Sequence, residues 1–228
     1  MRVLPILFNT DMVRGILDGR KTVTRRVINP QPSGYFETND NPLYIYDVDD
    51  GLGRRTPPYQ PGDILYVRET WNYGYIETSD IPESSETWFE SVRPDGECGE
   101  YIKALSHYFY KADEDAPGKE VEMIWRPSIH MPKKAARIWL KVTDVRVERL
   151  QECGKGWCLK IEKEGVVAPQ DPILYINDDK FHDALREEFK NLWNSTIKKS
   201  DLDRYGWDAN PWVWVIEFKR CEKPEEEK

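Results

Sequence analysis

The stretch DGRKTVTRRVI, residues 18 to 28, places four basic side chains beside two threonines. The preceding NTDMVRGILDG has capping residues at its start, Asp11 in its first turn and Gly19 at its end, which predicts a short helix. The alternation in KTVTRRVI is typical of a strand. The stretch therefore predicts a helix-to-strand junction that gathers cations, in a chain whose net charge is −8.

The composition indicates a polar chain that can still bury a core. The 228 residues suit one or two domains, with 39% hydrophobic and 32% charged residues. No apolar run reaches ~18 residues, so we expect no contact with a membrane. The start, MRVLPILFNTDMV, is typical of a first strand and not of a secretory signal.

Cysteine usage and charge narrow the function classes. The four cysteines are scattered without a C-x-x-C pair, which argues against a metal site. Without a secretory signal, reduced thiols in a cytoplasm are expected, and no motif implies a cofactor. The net acidity argues against a non-specific coat on duplex DNA. It leaves room for a local basic pocket that binds a nucleotide or a single strand.

Several further segments alternate like strands, and one is clearly helical. Strands are predicted in VLPILF, in PGDILYVRETW, in HYFYKAD, in ARIWLKVTDVRVERL and in WVWVIEFKRC. The apolar stripe in residues 179–197 predicts the best helix, and CLKIEKEGV predicts a short helix that ends at Gly165. Residues of about 30–60 read as a long loop or small hairpin, and those of about 72–106 as a polar, irregular insertion.

These elements predict an α+β fold that is mainly β. Strands with a few short helices between them favour a small mixed barrel over a doubly wound sheet. We expect one domain over residues 1–221 with the two long loop insertions, and an acidic, disordered tail over 222–228. The strands near the two termini are expected to pair.

Four ordered pieces of sequence resemble a known family. Gly19, Lys21 and Arg26 form G-x-K-x-x-x-x-R after a short helix, and GDILYVRETW, ARIWLKVTDVRVERL and WVWVIEFKRC follow in order. This set resembles the ASCH domain, which has the PUA-like β-barrel fold. WRPSIHMPKKAARIWLKVTDVRVERLQ and YGWDANPWVWVIEFKR resemble longer, prophage-encoded members most.

The resemblance implies a role with RNA or a modified nucleoside, because PUA-like barrels commonly bind these in a cleft. A small ASCH enzyme hydrolyses the acetamide of N4-acetylcytidine, and its catalytic lysine and threonine correspond to Lys21 and Thr24. Its acidic partner corresponds to Glu164. Arg25 departs from the pattern, because that enzyme has an apolar residue there.

Three function classes follow. The leading hypothesis is an RNA- or modified-nucleoside-binding protein. The alternative is a hydrolase, either an amidohydrolase on N4-acylated cytidine or a ribonuclease. In the amidohydrolase version Lys21 would be the base, Thr24 the nucleophile, and Glu164 or Glu69 the assisting carboxylate. The last class is a protein-binding scaffold of prophage origin.

Lys21 and Thr24 are an odd number of positions apart, so they would face opposite sides of a flat strand. A turn or bulge near Thr22 is required if the two side chains are to meet.

The candidate binding residues each have a structural alternative. The basic stretch could be a charged strand edge and Glu69 an ion-pair partner. Asn210, at the end of the turn YGWDANP, is expected to be extended before Pro211, with an amide that could read a base. Trp71 and Trp125 flank loops and are the favoured stacking residues, whereas Trp212 and Trp214 suit a core. The candidate ligand-binding residues are Gly19, Arg20, Arg25, Arg26, Arg68, Trp71, Trp125, Ser128, His130 and Asn210.

Overall fold

The computed structural model describes residues 1–32, 36–40, 43–47, 54–78, 87–94, 100–113, 123–152, 157–167 and 178–225. Its strands are β1 (Val3–Leu7), β2 (Val23–Val27), β3 (Phe36–Asp40), β4 (Leu43–Asp47), β5 (Arg54–Arg55), β6 (Ile64–Arg68), β7 (Trp71–Thr78), β8 (Thr87–Ser91), β9 (His107–Tyr110), β10 (Trp139–Arg149) and β11 (Trp212–Cys221). Its α-helices are α1 (Thr10–Leu17), α2 (Glu100–Leu105), α3 (Trp157–Glu162), α4 (Asp178–Thr196) and α5 (Leu202–Tyr205). Short 3-10 turns lie at Ser128–His130, Lys133–Ala135, Lys199–Asp201 and Trp207–Ala209.

Local sequence signals account for the best-predicted elements. The helix α1 begins where the Asn9 side-chain oxygen accepts a hydrogen bond from the Met12 N–H at 2.8 Å, which is the expected cap. It ends before Gly19, whose φ of 76° lies in the left-handed region that favours glycine. The predicted helix over 179–197 is confirmed as α4, and the predicted strand WVWVIEFKRC is confirmed as β11.

The largest sheet has five strands in the order β1-β6-β10-β11-β2. The strand β11 pairs antiparallel with β2, with Val215 opposite Arg25 and Glu217 opposite Val23. The fold is mixed, mainly β, as predicted, but this sheet is not a closed barrel, because β1 and β2 lie at its two ends. The expected pairing of the terminal strands is also wrong, because β6 and β10 stand between β1 and β11.

The two expected loop insertions contain strands. The strands β3, β4 and β5 lie within residues 36–55 and form a three-stranded sheet. Of the two options for residues of about 30–60, a long loop or a small hairpin, the structure agrees with the hairpin. The prediction of an irregular segment over 72–106 is wrong. There β7 pairs with β8 and β9 in the order β8-β7-β9, and the aromatic and β-branched residues of WNYGYIET suit a strand.

The chain divides into two compact units. Unit 1 comprises residues 1–3, 15–65 and 140–228, and unit 2 comprises residues 4–14 and 66–139. The core of unit 1 combines the apolar stripe of α4 with residues of β2, α3 and β11, and contains Val23, Leu150, Ile161, Leu185, Phe189, Trp193, Trp207, Val213 and Val215. The smaller core of unit 2 is built on Trp71, Met131 and Ala135, with Tyr73, Tyr108, Tyr110 and Ala136 packed against them.

Among the described residues, no helix is both long enough and apolar enough to cross a membrane. Residues 222–225 have no regular secondary structure, and the end of the predicted acidic tail, residues 226–228, lies outside the described residues.

Candidate functional site

The site in unit 1 begins where the chain leaves α1 and enters β2. The backbone N–H of Lys21 donates to Gly15 O at 2.8 Å, and Lys21 forms an isolated bridge with Glu164. The next two N–H groups, of Thr22 and Val23, both donate to Lys163 O. The turn after α3 is thereby fastened to the entrance of β2, which brings Glu164 beside Lys21.

The Lys21 side chain is fully buried, with 0% of it exposed. Its ammonium donates to Glu164 Oε2 at 2.7 Å, to Val23 O at 2.8 Å and to Glu164 O at 3.0 Å. Burial lowers the pKa of Lys21, the charge of Glu164 opposes that change, and Arg26 and Arg25 add to it.

Two glycines make room for the stem of Lys21. A Cβ on Gly165 would lie 2.9 Å from Lys21 Cβ, and a Cβ on Gly15 would lie 3.3 Å from the same atom. Gly165 also has a φ of 82°. This close approach explains the glycine in EKEGV beyond its predicted role as a helix stop.

The carboxylate of Glu164 is shared between two cations. Its Oε2 accepts from Lys21, and its Oε1 accepts from Arg25 Nη1 at 2.8 Å. Burial alone would raise the pKa of Glu164, but the charges and hydrogen bonds of Lys21 and Arg25 outweigh it, so the pKa is lowered. Glu164 is therefore ionised, and Arg25, whose side chain is 1% exposed, is a buried ion-pair partner and not an exposed edge cation.

Thr24 and Arg26 form the next part of the site. Thr24 is buried, and its hydroxyl accepts a hydrogen bond from Arg26 Nη1 at 3.1 Å. Arg26 is half-buried and also donates to Arg25 O at 3.2 Å. Burial lowers the pKa of Arg26, and the electrostatic influence of Tyr59 opposes that change.

Tyr59 and Glu148 join this cluster without having been among the predicted residues. Burial raises the pKa of the half-buried Tyr59, against the charge of Arg26. The signal for Tyr59 was an aromatic residue bracketed by prolines in TPPYQPGD. Glu148 lies 3.7 Å from Arg25 Nη2, and its only signal was its place near the end of the long strand.

The start of β2 determines where the Lys21 side chain lies relative to Thr24. Lys21 and Thr22 precede β2, which begins at Val23. From that position the Lys21 ammonium reaches Val23 O, the carbonyl immediately before Thr24. Lys21, Thr24, Glu164, Arg25 and Arg26 thus lie in one neighbourhood of unit 1.

The remaining candidates of unit 1 stabilise turns. Arg20 is exposed, pairs with Asp18 at 2.6 Å and donates to Gly165 O at 2.9 Å. Asn210 has a φ of 45° and accepts from the Gln151 N–H at 2.8 Å through its side-chain oxygen. The expected extended conformation of Asn210 before Pro211 is therefore wrong, and its side-chain oxygen is occupied within the turn.

The candidates of unit 2 have their own partners. Glu69 is buried and accepts from Arg137 Nε at 3.0 Å and Nη2 at 3.1 Å, and Arg137 also pairs with Asp113 at 2.7 Å. Burial raises the pKa of Glu69, and Arg137 opposes that change. Arg137 also lies 3.9 Å from the ring centroid of Tyr110. These contacts correspond to the structural ion pair that was the alternative for Glu69.

Five further candidates lie in unit 2. Trp71 is buried in that core, with Arg126 over its ring at 5.3 Å, so its face is not open to a ligand. Arg68 Nη1 donates to Ile129 O at 3.2 Å. Trp125 is half-buried, and Ser128 and the exposed His130 lie in the same 3-10 turn.

Comparisons with known proteins add no assignment. No family model, no curated protein and no solved structure matches the chain. Within the described ranges, no three side chains of the His, Cys, Asp and Glu types come together in a way that would hold a metal ion.

Proposed function

We propose that this protein binds a modified nucleoside, free or within single-stranded RNA, through Thr24, Arg26 and Tyr59 of unit 1. The observation that carries the proposal is the guanidinium of the half-buried residue Arg26, which donates to the Thr24 hydroxyl and lies within the electrostatic influence of Tyr59. A guanidinium recognises phosphate or base oxygens. An aromatic ring stacks on a base for about 1–3 kcal/mol. The resemblance of GRKTVTRR to the ASCH motif supports the same class of ligand.

The state of Lys21 favours binding over catalysis. Each of the three ammonium protons of Lys21 has an acceptor within 3.0 Å, and the side chain is buried. A general base requires a neutral amine with access to the proton that it removes. In this arrangement Lys21 and Glu164 instead fasten the start of β2, so that Thr24 and Arg26 are held in place.

Arg26→Ala tests the proposal by fluorescence anisotropy with labelled single-stranded RNA. Loss of a well-placed guanidinium contact of about 1–3 kcal/mol weakens binding by roughly 5- to 150-fold. The loss should be larger at low salt. Arg220→Ala removes an exposed cation of β11 and is the matched control. Unchanged affinity in Arg26→Ala, or an equal loss in both variants, would rule the proposed ligand site out.

A second candidate function is amide hydrolysis on an N4-acylated cytidine. The observation that favours it is the 2.7 Å contact between Lys21 Nζ and Glu164 Oε2 next to the start of β2, because the resemblance assigns its catalytic groups to these residues and to Thr24. In this version Lys21 must first lose a proton. The neutral amine then accepts the Thr24 proton as Oγ attacks the acyl carbon, and the cytidine amine leaves with a proton.

Water would then hydrolyse the acyl-threonine. Chromatography of N4-acetylcytidine after incubation with the pure protein tests this version, with Lys21→Met as the inactive control. Absence of cytidine at high protein concentration excludes it. Incubation with end-labelled RNA in parallel tests the ribonuclease alternative. Intact RNA that also fails to bind would favour a protein partner instead.

A further inference from the structure

Glu148 lies on β10 at the meeting point of three cations. Its Oε1 is 2.7 Å from Arg146 Nε and 3.4 Å from Lys160 Nζ, and its Oε2 is 3.7 Å from Arg25 Nη2. Only 14% of the Glu148 side chain is exposed. The carboxylate is thus partly desolvated, and its interactions are less screened than those of a surface ion pair.

Arg146 is held in place by carboxylates on two strands. Besides Glu148, it pairs with Asp144 of β10 at 3.0 Å and with Glu217 of β11 at 2.6 Å. A planar guanidinium with three carboxylate partners has little freedom to follow a moving neighbour. Arg146 therefore anchors Glu148 Oε1 and limits how far the other oxygen can approach Arg25.

Arg25 interacts with two carboxylates, and together they leave some of its hydrogen-bond donors without an acceptor. Its Nη1 donates to Glu164 Oε1 at 2.8 Å, but the 3.7 Å between Nη2 and Glu148 Oε2 is too long for a hydrogen bond. Within the described part of the chain, Arg25 Nε, Arg25 Nη2 and Glu148 Oε2 are buried without a hydrogen-bond partner. Buried donors in proteins are normally hydrogen-bonded. The position of Arg25 is therefore a compromise between its attraction to Glu164 and its attraction to Glu148.

We infer that Glu148 is a positioning residue that determines how Arg25 shares the Glu164 carboxylate with Lys21. With Glu148 charged, Arg25 offers only Nη1 to Glu164, and Glu164 Oε2 remains with Lys21. Without that charge, Arg25 moves onto Glu164 with both terminal nitrogens, as a bidentate pair prefers. Lys21 then loses part of its contact with the Glu164 carboxylate.

The charged groups that act on Lys21 are Glu164 and the two arginines of β2, Arg25 and Arg26. Glu148 itself has contacts with Arg25, Arg146 and Lys160. The influence of Glu148 on Lys21 is therefore transmitted through Arg25. Whether the effect of Glu148 on Lys21 matters for ligand binding rests on the proposed function, but the effect itself can be tested without any ligand.

The test is an NMR titration of the full chain labelled with 13C-lysine, with the Lys21 signal assigned from the spectrum of Lys21→Arg. Glu148→Gln should lower the Lys21 titration midpoint more than Glu187→Gln, which removes an equal charge from the exposed side of α4. Glu148→Asp keeps the charge on a shorter side chain and should give an intermediate midpoint.

A double-mutant cycle separates positioning from a through-space effect. In an Arg25→Gln background, Glu148→Gln should no longer move the Lys21 midpoint. If Arg25→Gln does not fold, as judged by circular dichroism, Arg25→Lys replaces it, because one ammonium cannot span both carboxylates, and the effect of Glu148→Gln should shrink.

Two results would overturn the inference. One is a midpoint in Glu148→Gln equal to that of Glu187→Gln, and the other is an undiminished shift in the Arg25 variants. Failure of the wild-type protein to bind RNA would refute the proposed function and leave this titration result unaffected.

Discussion

Replacing either member of the Lys21–Glu164 pair should destabilise the protein to different extents. Glu164→Gln leaves two buried cations, Lys21 and Arg25, without their shared carboxylate. Removal of one partner from a buried pair costs about 3–5 kcal/mol. Lys21→Met leaves Glu164 paired with Arg25 at 2.8 Å, and two carbonyls lose a donor, at a cost of about 1–3 kcal/mol. The glutamine variant should therefore be the less stable one.

The difference in unfolding free energy between wild type and Glu164→Gln should decrease as the pH falls. The pKa of Glu164 is lowered in the folded protein, so the unfolded chain binds the proton more readily. The stabilisation by the carboxylate is thus complete above the unfolded pKa of about 4.3 and is lost as the pH falls through the folded pKa. Wild type and Glu164→Gln should converge in acid.

Urea denaturation followed by tryptophan fluorescence measures these free energies, and the nine tryptophans supply the signal. Glu187→Gln serves as the surface control and should stay within about 0.5 kcal/mol of wild type. The reasoning is refuted if Glu164→Gln is as stable as that control at neutral pH, or if Lys21→Met is the more destabilising change.

Three further predictions concern the fold around the site. Gly165→Ala should destabilise the protein more than Gly19→Ala in thermal unfolding. Both glycines have a positive φ, which costs an alanine about 1–2 kcal/mol, but only at Gly165 would the new Cβ also meet Lys21, at 2.9 Å. Equal losses of stability would contradict this close approach. Asp63→Asn should cost about 1–3 kcal/mol and flatten the acid limb of a stability-versus-pH curve. Burial would raise the pKa of Asp63, but hydrogen bonds from Arg2 and the Gln60 N–H lower it, so its contribution is lost as the pH falls; an unchanged acid limb would refute this. Leu185→Ala should cost about 2–5 kcal/mol in urea denaturation, because Leu185 is 1% exposed in the core of unit 1. Leu192→Ala, at a half-buried position of the same helix, should cost less. The reverse order would contradict the packing of α4.

Elements with strong local signals could be predicted from the sequence. The cap at Asn9, the glycine stops at Gly19 and Gly165 and the apolar stripe of α4 each involve residues within a few positions of one another. Such signals depend on backbone geometry that neighbours impose, so they are readable without the fold. The irregular appearance of residues 72–106 misled the prediction, because strand pairing of β7 with β8 and β9 depends on partners and not on local polarity alone.

The cation cluster itself was visible in the sequence. The resemblance named Glu164 as a carboxylate for it, and Glu69 was the other candidate. The sequence did not show which of these cations is buried and which is exposed. Arg20, Arg25 and Arg26 are near neighbours in the chain, yet one is exposed, one is buried and one is half-buried. That outcome depends on the strand β11 and on the turn after α3, which pack against β2.

By itself the sequence determined that a helix gives way to a charged strand at Gly19 and that α4 presents an apolar face, because periodicity and capping act over a few residues. Only the tertiary structure decided that the carboxylate facing Lys21 stands 143 positions away, that Glu69 instead pairs with Arg137, and that the largest sheet remains open. These choices follow from burial: a cation removed from water requires a partner within about 3 Å, and which partner arrives there depends on how distant segments pack.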